Sequence, residues 1–208
     1  MLVWLASYPR SGNSYVRMFL KDVFGLGSWS IYDEGGERAF DQLNKARRSD
    51  DLYIVKTHER PLTDDPAIYV VRDGRASIIS YFHYLNEVEN QPIPLEQVID
   101  GNVWPGSWSE HFLTWDPEYR RNTLLLRYEI ISKDTSLLAN VLGPFLGLTP
   151  LGTSTLSFDE LHAASPNFFR TGNDASNIKE MEPFMTRFNK LHKPLMRRLG
   201  YTTSGPAS

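Results

Sequence analysis

The chain has 208 residues, of which 41% are hydrophobic and 23% charged, and this composition is that of an ordinary globular domain. Its formal net charge of −3 argues against a nucleic-acid-binding surface, which would carry an excess of Lys and Arg. Without cysteine it can form neither a disulfide nor a thiolate metal site, and no apolar run reaches the ~18 residues of a membrane span. These features predict a single soluble, cytoplasmic domain over residues 1–201, with a flexible tail at residues 202–208 and neither membrane nor nucleic acid as partner. They leave the oligomeric state open.

Four short apolar runs, each bounded by turn residues, predict β-strands that are covered on both faces. They are residues 2–6, 52–55, 67–71 and 123–126. Segments with apolar residues at helical spacing lie between and after these runs. The predicted helices are residues 14–24, 74–85, 137–145 and 183–199, together with a short helix that begins at the capping box of residues 157–160. Strands that alternate with helices predict a three-layer α/β/α fold with a mainly parallel central sheet.

Residues 86–117 show little regular periodicity and contain three tryptophans. A long irregular stretch inside a compact domain is more often a lid or a binding loop than a linker. This segment is therefore predicted to be a lid or loop over a ligand site.

The segment between the first predicted strand and the first predicted helix reads Tyr-Pro-Arg-Ser-Gly-Asn-Ser, residues 8–14. A turn that leads into a helix N-terminus binds anions, because the free amides of the first turn and the helix dipole face the ligand. Gly12 allows a backbone with positive φ, and Arg10 supplies a permanent forked cation. Ser11 and Ser14 add hydroxyl donors. The segment predicts an anion site, and a purely structural strand–turn–helix junction is the alternative.

The same segment departs from the Walker A loop of nucleoside triphosphatases, G-x-x-x-x-G-K-[ST]. When Gly12 and Ser14 are aligned with that loop, Ser7 replaces its first glycine and Asn13 replaces its lysine. Because that lysine contacts the β- and γ-phosphates in nucleoside triphosphatases, its absence argues against ordinary nucleoside triphosphate hydrolysis.

Lys56 and His58 come directly after the second predicted strand. Their i, i+2 spacing directs both side chains to the same side of an extended chain. The carboxyl ends of strands are where open α/β sheets bind ligands, so the pair is predicted to belong to a site. A structural or surface histidine is the alternative.

Two more segments carry basic groups. Arg72 ends the third predicted strand, and Ser80 lies two turns into the following helix. The alternative for this segment is an ion pair between Arg72 and Asp73 at the helix N-terminus, with Ser80 in solvent. Residues 168–172 read Phe-Phe-Arg-Thr-Gly, which is either a second anion-binding loop or a docking loop before the last helix.

These segments follow one another in a recognisable order: Tyr-Pro-Arg-Ser-Gly-Asn-Ser-Tyr, Lys-Thr-His, Arg-Asp-Gly-Arg with a serine eight residues after its first arginine, and Phe-Phe-Arg-Thr-Gly. A Gly-Ser-Trp-Ser-Glu-His run and an Arg-Tyr-Glu run stand between the last two. From residue 3 to residue 201 the chain resembles the sulfotransferases that use 3′-phosphoadenosine 5′-phosphosulfate (PAPS). The resemblance implies a P-loop NTPase-like fold, PAPS as the donor and no required metal.

The resemblance also implies a role for each matching residue. His58 would be the general base, and Lys56 and Arg10 would stabilise charge on the departing phosphate. Many family members have lysine at the position of Arg10, and arginine would act there as a fixed charge and not as a proton donor. The residues implied to bind the donor are Arg10, Ser11, Gly12, Asn13, Ser14, Tyr15, Arg72, Ser80, Tyr128, Phe158, Phe169, Arg170, Thr171 and Gly172. Those predicted to contact the acceptor are Tyr84, Trp104, Trp108 and His111.

The predicted acceptor is a hydroxyl group, or with less preference an amine, of a small molecule, natural product or sugar. Two other functions stay open at this point. A nucleotide-dependent phosphotransferase would consume ATP or GTP with magnesium. A non-catalytic module would bind adenosine 3′,5′-bisphosphate (PAP) without turnover.

Overall fold

A computed structural model describes residues 1–32, 37–154 and 174–202. Within these residues five strands form one sheet in which all neighbouring strands are parallel. The strands are β1 (Leu2–Ser7), β2 (Ser28–Ser30), β3 (Tyr53–Thr57), β4 (Ala67–Val71) and β5 (Thr123–Arg127). Their order across the sheet is β2-β3-β1-β4-β5, so the first strand of the chain lies at the centre. The mainly parallel sheet predicted from the sequence is confirmed.

Apart from Ser7, the residues of strands β1 and β4 are apolar or aromatic, because both faces of these strands are covered. Every residue of β1 and of β4 is buried, as expected for strands inside a parallel sheet. In the register of the sheet, Ala6 pairs with Thr57 of β3 on one side and with Tyr69 of β4 on the other. The carboxyl ends of three strands therefore meet at one edge, where sheets of this kind bind ligands.

All four strands predicted from apolar runs are present; β4 has the predicted ends, and the ends of the other three lie within two residues of the prediction. The prediction missed β2, because three residues with the sequence Ser-Trp-Ser contain no apolar run. The expectation that every strand is covered on both faces is wrong for β5. Only Leu126 is buried in that strand, because β5 lies at the edge of the sheet.

Helices connect and follow the strands. They are α1 (Asn13–Phe24), α2 (Glu37–Arg48), α3 (Gly74–His83), α4 (Leu95–Asp100), α5 (Trp108–Trp115), α6 (Tyr128–Ile131), α7 (Thr135–Leu146), α8 (Asp174–Met181) and α9 (Met185–Arg198). A π-helical turn, Tyr84–Val88, continues α3, and a 3₁₀ turn, Glu182–Phe184, precedes α9. Four predicted helices are confirmed as α1, α3, α7 and α9, and the helix predicted at residues 157–160 lies outside the described residues.

The described residues fall into two compact units. The first unit takes its residues from Met1–Ser7, Gly12–Val71 and Trp115–Thr155, and it contains the whole sheet. The second unit takes its residues from Tyr8–Ser11, Arg72–Thr114 and Leu156–Ser208, and it contains α3, α4, α8, α9 and most of α5. The single domain predicted from the sequence stays a prediction.

In the first unit, α1 begins and ends at glycines. Its apolar residues recur every three or four positions and form one buried stripe. The helix stops at Gly25, whose φ of 63° is left-handed and whose amide donates to the carbonyl of Lys21 at 3.1 Å. This ending is the usual one for a helix with a glycine after its last turn.

In the second unit, α3 begins at the predicted N-cap, because the carboxylate of Asp73 accepts from the amide of Arg75 at 2.9 Å. Helix α9, in the same unit, ends at Arg198, just before the stop predicted at Gly200. Gly200 has a φ of 72°, and the amide of Tyr201 donates to the carbonyl of Met196 at 2.9 Å.

The expectation of little regular structure in residues 86–117 is wrong, because this segment contains α4 and α5. Both helices are shorter than three turns, too short to show a clear period in the sequence. A role of the segment as a lid stays a prediction. Of the described helices, none is both long enough and apolar enough to span a membrane.

Candidate functional site

The turn between β1 and α1 holds two residues with left-handed backbone. Gly12 has a φ of 104° and Arg10 a φ of 63°. For arginine this conformation costs about 1–2 kcal/mol, because its Cβ crowds the following carbonyl. The guanidinium of Arg72 donates to the carbonyl of Arg10 at 3.0 Å and so helps to hold this backbone. Strained residues that their neighbours hold in place are typical of ligand-binding loops.

The N-terminus of α1 suits an anion. Gly12 is the N-cap and offers no side-chain hydrogen bond, and the first turn contains no acidic residue. The partial positive charge of the helix end is therefore not offset by a carboxylate of its own first turn. A Cβ atom at Gly12 would lie 2.4 Å from Cδ2 of Tyr128. Both the backbone angle and this ring thus require glycine, and the positive φ predicted for Gly12 is confirmed.

Tyr15 and Tyr128, both predicted to bind the donor, contact each other. Their ring centroids are 6.2 Å apart with an interplanar angle of 88°, the favoured edge-to-face geometry. The hydroxyl of Tyr15 donates to the carbonyl of Ile131 at 3.2 Å. Burial, and secondarily the neighbouring Tyr128, raises the pKa of Tyr15. The phenol of Tyr15 therefore stays neutral, and its ring packs against Tyr128, whose own ring lies beside Gly12.

The polar side chains of the turn point in different directions. The hydroxyl of Ser11 lies 3.1 Å from that of Ser77 in a buried pair. The amide of Asn13 donates inward to the carbonyl of Leu5 at 2.9 Å. The side chain of Asn13 is thus committed to the strand, and its backbone amide is what the first turn of α1 presents to a ligand. Ser14 is half-buried.

Four predicted residues come together in the second unit. Nε of Arg10 donates to the hydroxyl of Ser80 at 3.2 Å, and the Arg72 guanidinium bonds the Arg10 carbonyl. The Arg10 guanidinium lies 5.4 Å from the centre of the Tyr84 ring, within range of a cation–π contact. Arg72 and Ser80 are buried. In a chain of net charge −3, this cluster of two arginines and a hydroxyl concentrates positive charge and donors that suit an anion.

Asp73 pairs with Arg75 at the start of α3. The alternative of a Ser80 in solvent is wrong, because Ser80 is buried and accepts from Arg10. Arg75 binds both carboxylate oxygens of Asp73, with Nε at 3.0 Å from Oδ1 and Nη2 at 2.6 Å from Oδ2. Both side chains are buried. Arg75 thus offsets the negative charge of Asp73, the residue next to Arg72.

In the first unit, His58 lies just past β3 with its ring buried. Its Nδ1 is 2.7 Å from the carbonyl oxygen of Ser7 and 3.4 Å from the Ser7 hydroxyl. A carbonyl oxygen can only accept, so Nδ1 carries the proton in the neutral ring and Nε2 carries the lone pair.

Lys56 and His58 lie on the same side of the chain, as their spacing predicted. The ammonium group of Lys56 is 5.8 Å from the centre of the Tyr32 ring. The imidazole of His58 stacks on that same ring at 6.0 Å and an interplanar angle of 14°. A cation and a base thus share one face at the end of β3.

The residues predicted to contact the acceptor lie in the second unit and differ in exposure. Tyr84 stacks on Tyr81, and the side chain of Trp104 is 46% exposed. Trp108 is 1% exposed, and a Cβ atom at Gly74 would lie 2.8 Å from its ring. His111 is 2% exposed and meets the ring of Tyr8 edge-on. Of the four, Tyr84 and Trp104 therefore offer surface, whereas Trp108 and His111 mainly pack.

Five of the predicted donor-binding residues lie outside the described residues: Phe158, Phe169, Arg170, Thr171 and Gly172. Within the residues that are described, no group of three or more His, Asp or Glu side chains is arranged to hold a metal ion.

Comparison with known proteins identifies the family. A family model described as "Sulfotransferase domain" matches residues 2–190. The chain belongs to the sulfotransferase family. The match includes every residue to which the sequence analysis assigned a site role.

Curated sulfotransferases share part of this sequence. The chain is 32% identical over 163 residues to 3-beta-hydroxysteroid sulfotransferase of Cavia porcellus, in an alignment that covers 68% of this chain and 57% of the relative. It is 24% identical over 163 residues to Sulfotransferase 1E1 of Homo sapiens, over 62% of this chain and 53% of the relative. The chain thus spans little more than half the length of these two relatives.

Solved sulfotransferase structures share the fold. The mouse sulfotransferase SULT7A1, solved as a complex with PAP, matches with a TM-score of 0.77 and 25% identity over 94% of this chain and 84% of its own. A sulfotransferase from Alicyclobacillus acidocaldarius matches with a TM-score of 0.51 and 13% identity over 86% and 94%, which shows the fold alone. These matches confirm the predicted three-layer α/β fold class of the P-loop-like sulfotransferases.

Three residues that contact the predicted site residues were not predicted from the sequence. Ser77, the partner of Ser11, stands three residues before Ser80, and that helical spacing was a usable signal. Ser7 acts through its backbone carbonyl, which leaves no mark in the sequence. Tyr32 follows the short strand β2, which was itself missed.

Proposed function

We propose that the protein transfers the sulfuryl group of PAPS to a hydroxyl group, or less readily an amine, of a small-molecule acceptor, with His58 as the general base. The observation that carries this proposal is the hydrogen bond between Nδ1 of His58 and the carbonyl of Ser7 at 2.7 Å. It supports a neutral imidazole whose basic nitrogen, Nε2, is set to take a proton. Family membership supports the class of reaction.

In the proposed step, the acceptor oxygen attacks sulfur while its proton passes to Nε2 of His58. The bond between sulfur and the bridging oxygen of the 5′-phosphate breaks, and its electron pair leaves with PAP. Negative charge thus builds on the departing phosphate. Lys56 and Arg10 are the cations that we assign to stabilise it, and arginine does so without giving up its proton.

The donor carries two separate anionic groups, and the chain offers an anion site in each unit. In the first unit, the amides at the start of α1 suit the 5′-phosphosulfate. In the second unit, Arg72 and Ser80 suit the 3′-phosphate, and Arg10 lies beside them. The complex of the mouse sulfotransferase with PAP supports this donor for the present chain.

The acceptor class is proposed from two observations. The name of the Cavia porcellus relative describes action on a hydroxysteroid, which supports a hydroxyl acceptor. Tyr84 and Trp104 present aromatic surface that suits an apolar or sugar-like molecule. The cytoplasmic location stays a prediction from the sequence.

A mass-spectrometric screen tests the reaction. The protein is incubated with PAPS and with 2-naphthol, a 3β-hydroxysteroid, an alkyl glucoside or aniline, and the product is expected to gain about 80 Da, the mass of a sulfuryl group. His58→Ala should abolish this gain and leave PAP binding within about twofold, because a base is not needed to hold the donor. His83→Ala is the matched control and should retain transfer. Loss of PAP binding in His58→Ala would make His58 a structural residue.

Nucleotide binding separates the proposal from the phosphotransferase alternative. In thermal unfolding, PAP should raise the melting temperature more than ATP with magnesium does, because the chain has Asn13 in place of the Walker lysine. Equal or greater stabilisation by ATP with magnesium would contradict the donor assignment.

A further inference from the structure

Tyr32 is anchored to the end of β3 by backbone pairing. It lies two residues after β2, whose Ser30 is the register partner of Lys56 in β3. The amide of Ile31 continues this ladder by donating to the carbonyl of Lys56 at 3.3 Å. The amide of Tyr32 donates to the hydroxyl of Ser30 at 3.2 Å. The backbone of Tyr32 is therefore held next to the residues that we assign to catalysis.

The side chain of Tyr32 contacts His58 at two points. Its hydroxyl accepts a hydrogen bond from the backbone amide of His58 at 2.6 Å. Its ring stacks on the imidazole of His58 at 6.0 Å, nearly parallel at 14°. One phenol thus fixes both the backbone and the ring plane of the same histidine.

The two contacts complement the hydrogen bond from His58 to Ser7. That bond holds the Nδ1 edge of the imidazole but would allow the ring to tilt about it. A stacked ring on the face removes this tilt, because tilting would separate the two planes. The ammonium group of Lys56 lies over the same phenol at 5.8 Å, so the ring also holds the neighbouring cation.

We propose that Tyr32 is a positioning residue for the sulfuryl transfer, which clamps His58 so that Nε2 stays directed at the acceptor proton. The inference rests on the proposed role of His58 as the base. Tyr32 does not replace that base, because burial raises its pKa to about 12 and its hydroxyl stays protonated near neutrality. It acts through His58, and a misplacement of the base by about 1 Å is enough to slow such a reaction roughly a hundredfold.

A spectroscopic test does not depend on turnover. Long-range ¹H–¹⁵N NMR spectra of the full chain report the tautomer of each of its five histidines, and the His58 signals are assigned by their loss in His58→Ala. The wild-type protein should show His58 with the proton on Nδ1. In Tyr32→Leu the ring is free to leave Ser7, and the signals should move toward an average of the two tautomers.

Two further variants control this experiment. Tyr119→Leu removes a tyrosine that is 76% exposed, and the His58 signals should stay as in the wild type. Tyr32→Phe keeps the stacked ring and removes the hydroxyl, so the tautomer should be retained. If Tyr32→Leu does not fold, the amide proton of His58 still reports on the clamp, because Tyr32→Phe should speed its exchange with solvent.

Kinetics then test the consequence, with PAPS and 2-naphthol. Tyr32→Leu should lower kcat roughly a hundredfold, and Tyr32→Phe roughly tenfold, with KM for both substrates within about twofold. A positioning residue changes kcat, whereas a residue that merely binds the acceptor changes KM. Unchanged His58 signals in Tyr32→Leu, or a raised acceptor KM with normal kcat, would overturn the inference. Wild-type protein that transfers nothing would refute the proposed function instead, and the NMR result would still decide whether Tyr32 clamps His58.

Discussion

Acid should destabilise the second unit through His192, a fully buried histidine on α9. Its Nε2 donates to the carbonyl of Ile99 at 2.9 Å, and its Nδ1 accepts from the hydroxyl of Ser109 at 2.8 Å. Trp108 and Phe188 pack against the ring. The neutral imidazole satisfies both partners, but a second ring proton would face the Ser109 hydroxyl in an apolar surrounding.

The pKa of His192 sets the direction and the size of this destabilisation. Burial lowers the pKa of His192 from 6.5 to about 4, against smaller opposing effects of the Ile99 carbonyl and Asp100. The unfolded chain therefore binds a proton between these two values that the folded chain does not. This contribution to stability is fully present above about pH 6.5 and is lost as the pH falls toward about 4. At about 1.4 kcal/mol per pKa unit, the total loss is about 3 kcal/mol.

Urea unfolding followed by tryptophan fluorescence measures the free energy of unfolding at intervals from about pH 7 to about pH 4. His192→Gln offers an amide that can donate to Ile99 and accept from Ser109 without titrating. Its stability should fall by about 3 kcal/mol less than that of the wild type over this range. Ser109→Ala should be less stable at neutral pH yet keep the wild-type slope, because it retains the imidazole. If His192→Gln shows the wild-type dependence on pH, His192 does not titrate as the structure implies.

Two other substitutions test the donor sites. Gly12→Ala should lower the free energy of unfolding by about 1–3 kcal/mol and abolish stabilisation by PAP, because it forces Cβ against Tyr128 at a φ of 104°. The control is Gly147→Ala, at a φ of 68° with open space around it, which should lose only about 1 kcal/mol for the backbone and still respond to PAP in thermal unfolding. Arg72→Ala should weaken PAP affinity in calorimetry roughly tenfold or more, because it removes a buried cation and releases the Arg10 carbonyl. Arg121→Ala, at an exposed position, is its control. Loss of kcat with unchanged PAP affinity would contradict the role of Arg72.

In this proposal, β2 holds Tyr32 beside His58. A three-residue edge strand adds little to the stability of a sheet. However, β2 ends two residues before Tyr32, whose hydroxyl accepts from the amide of His58. The strand thus fixes an aromatic ring beside a histidine from a different part of the chain. Positioning of this kind depends on strand register, since a shift by one residue would turn Tyr32 to the opposite face.

The sequence by itself located four of the five described strands and the turn that precedes α1. Apolar runs located β1, β3, β4 and β5. For β1 and β4 the reason is that strands inside a parallel sheet are buried on both faces. Glycine and proline positions located the turn before α1 and the end of α9 at Gly200. The spacing of Lys56 and His58 predicted that both share one face, because side chains of an extended chain alternate.

Only the tertiary structure decided which polar groups meet. Arg75 pairs with both carboxylate oxygens of Asp73, although Arg72 stands next to that residue as well. Asn13 turns inward to Leu5, and Tyr32 reaches His58 across 26 residues of sequence. These contacts depend on the positions of backbone groups and on strand register, and the identity of a residue predicts neither. Local spacing predicts which face a side chain occupies, whereas its partner depends on which strands the sheet places side by side.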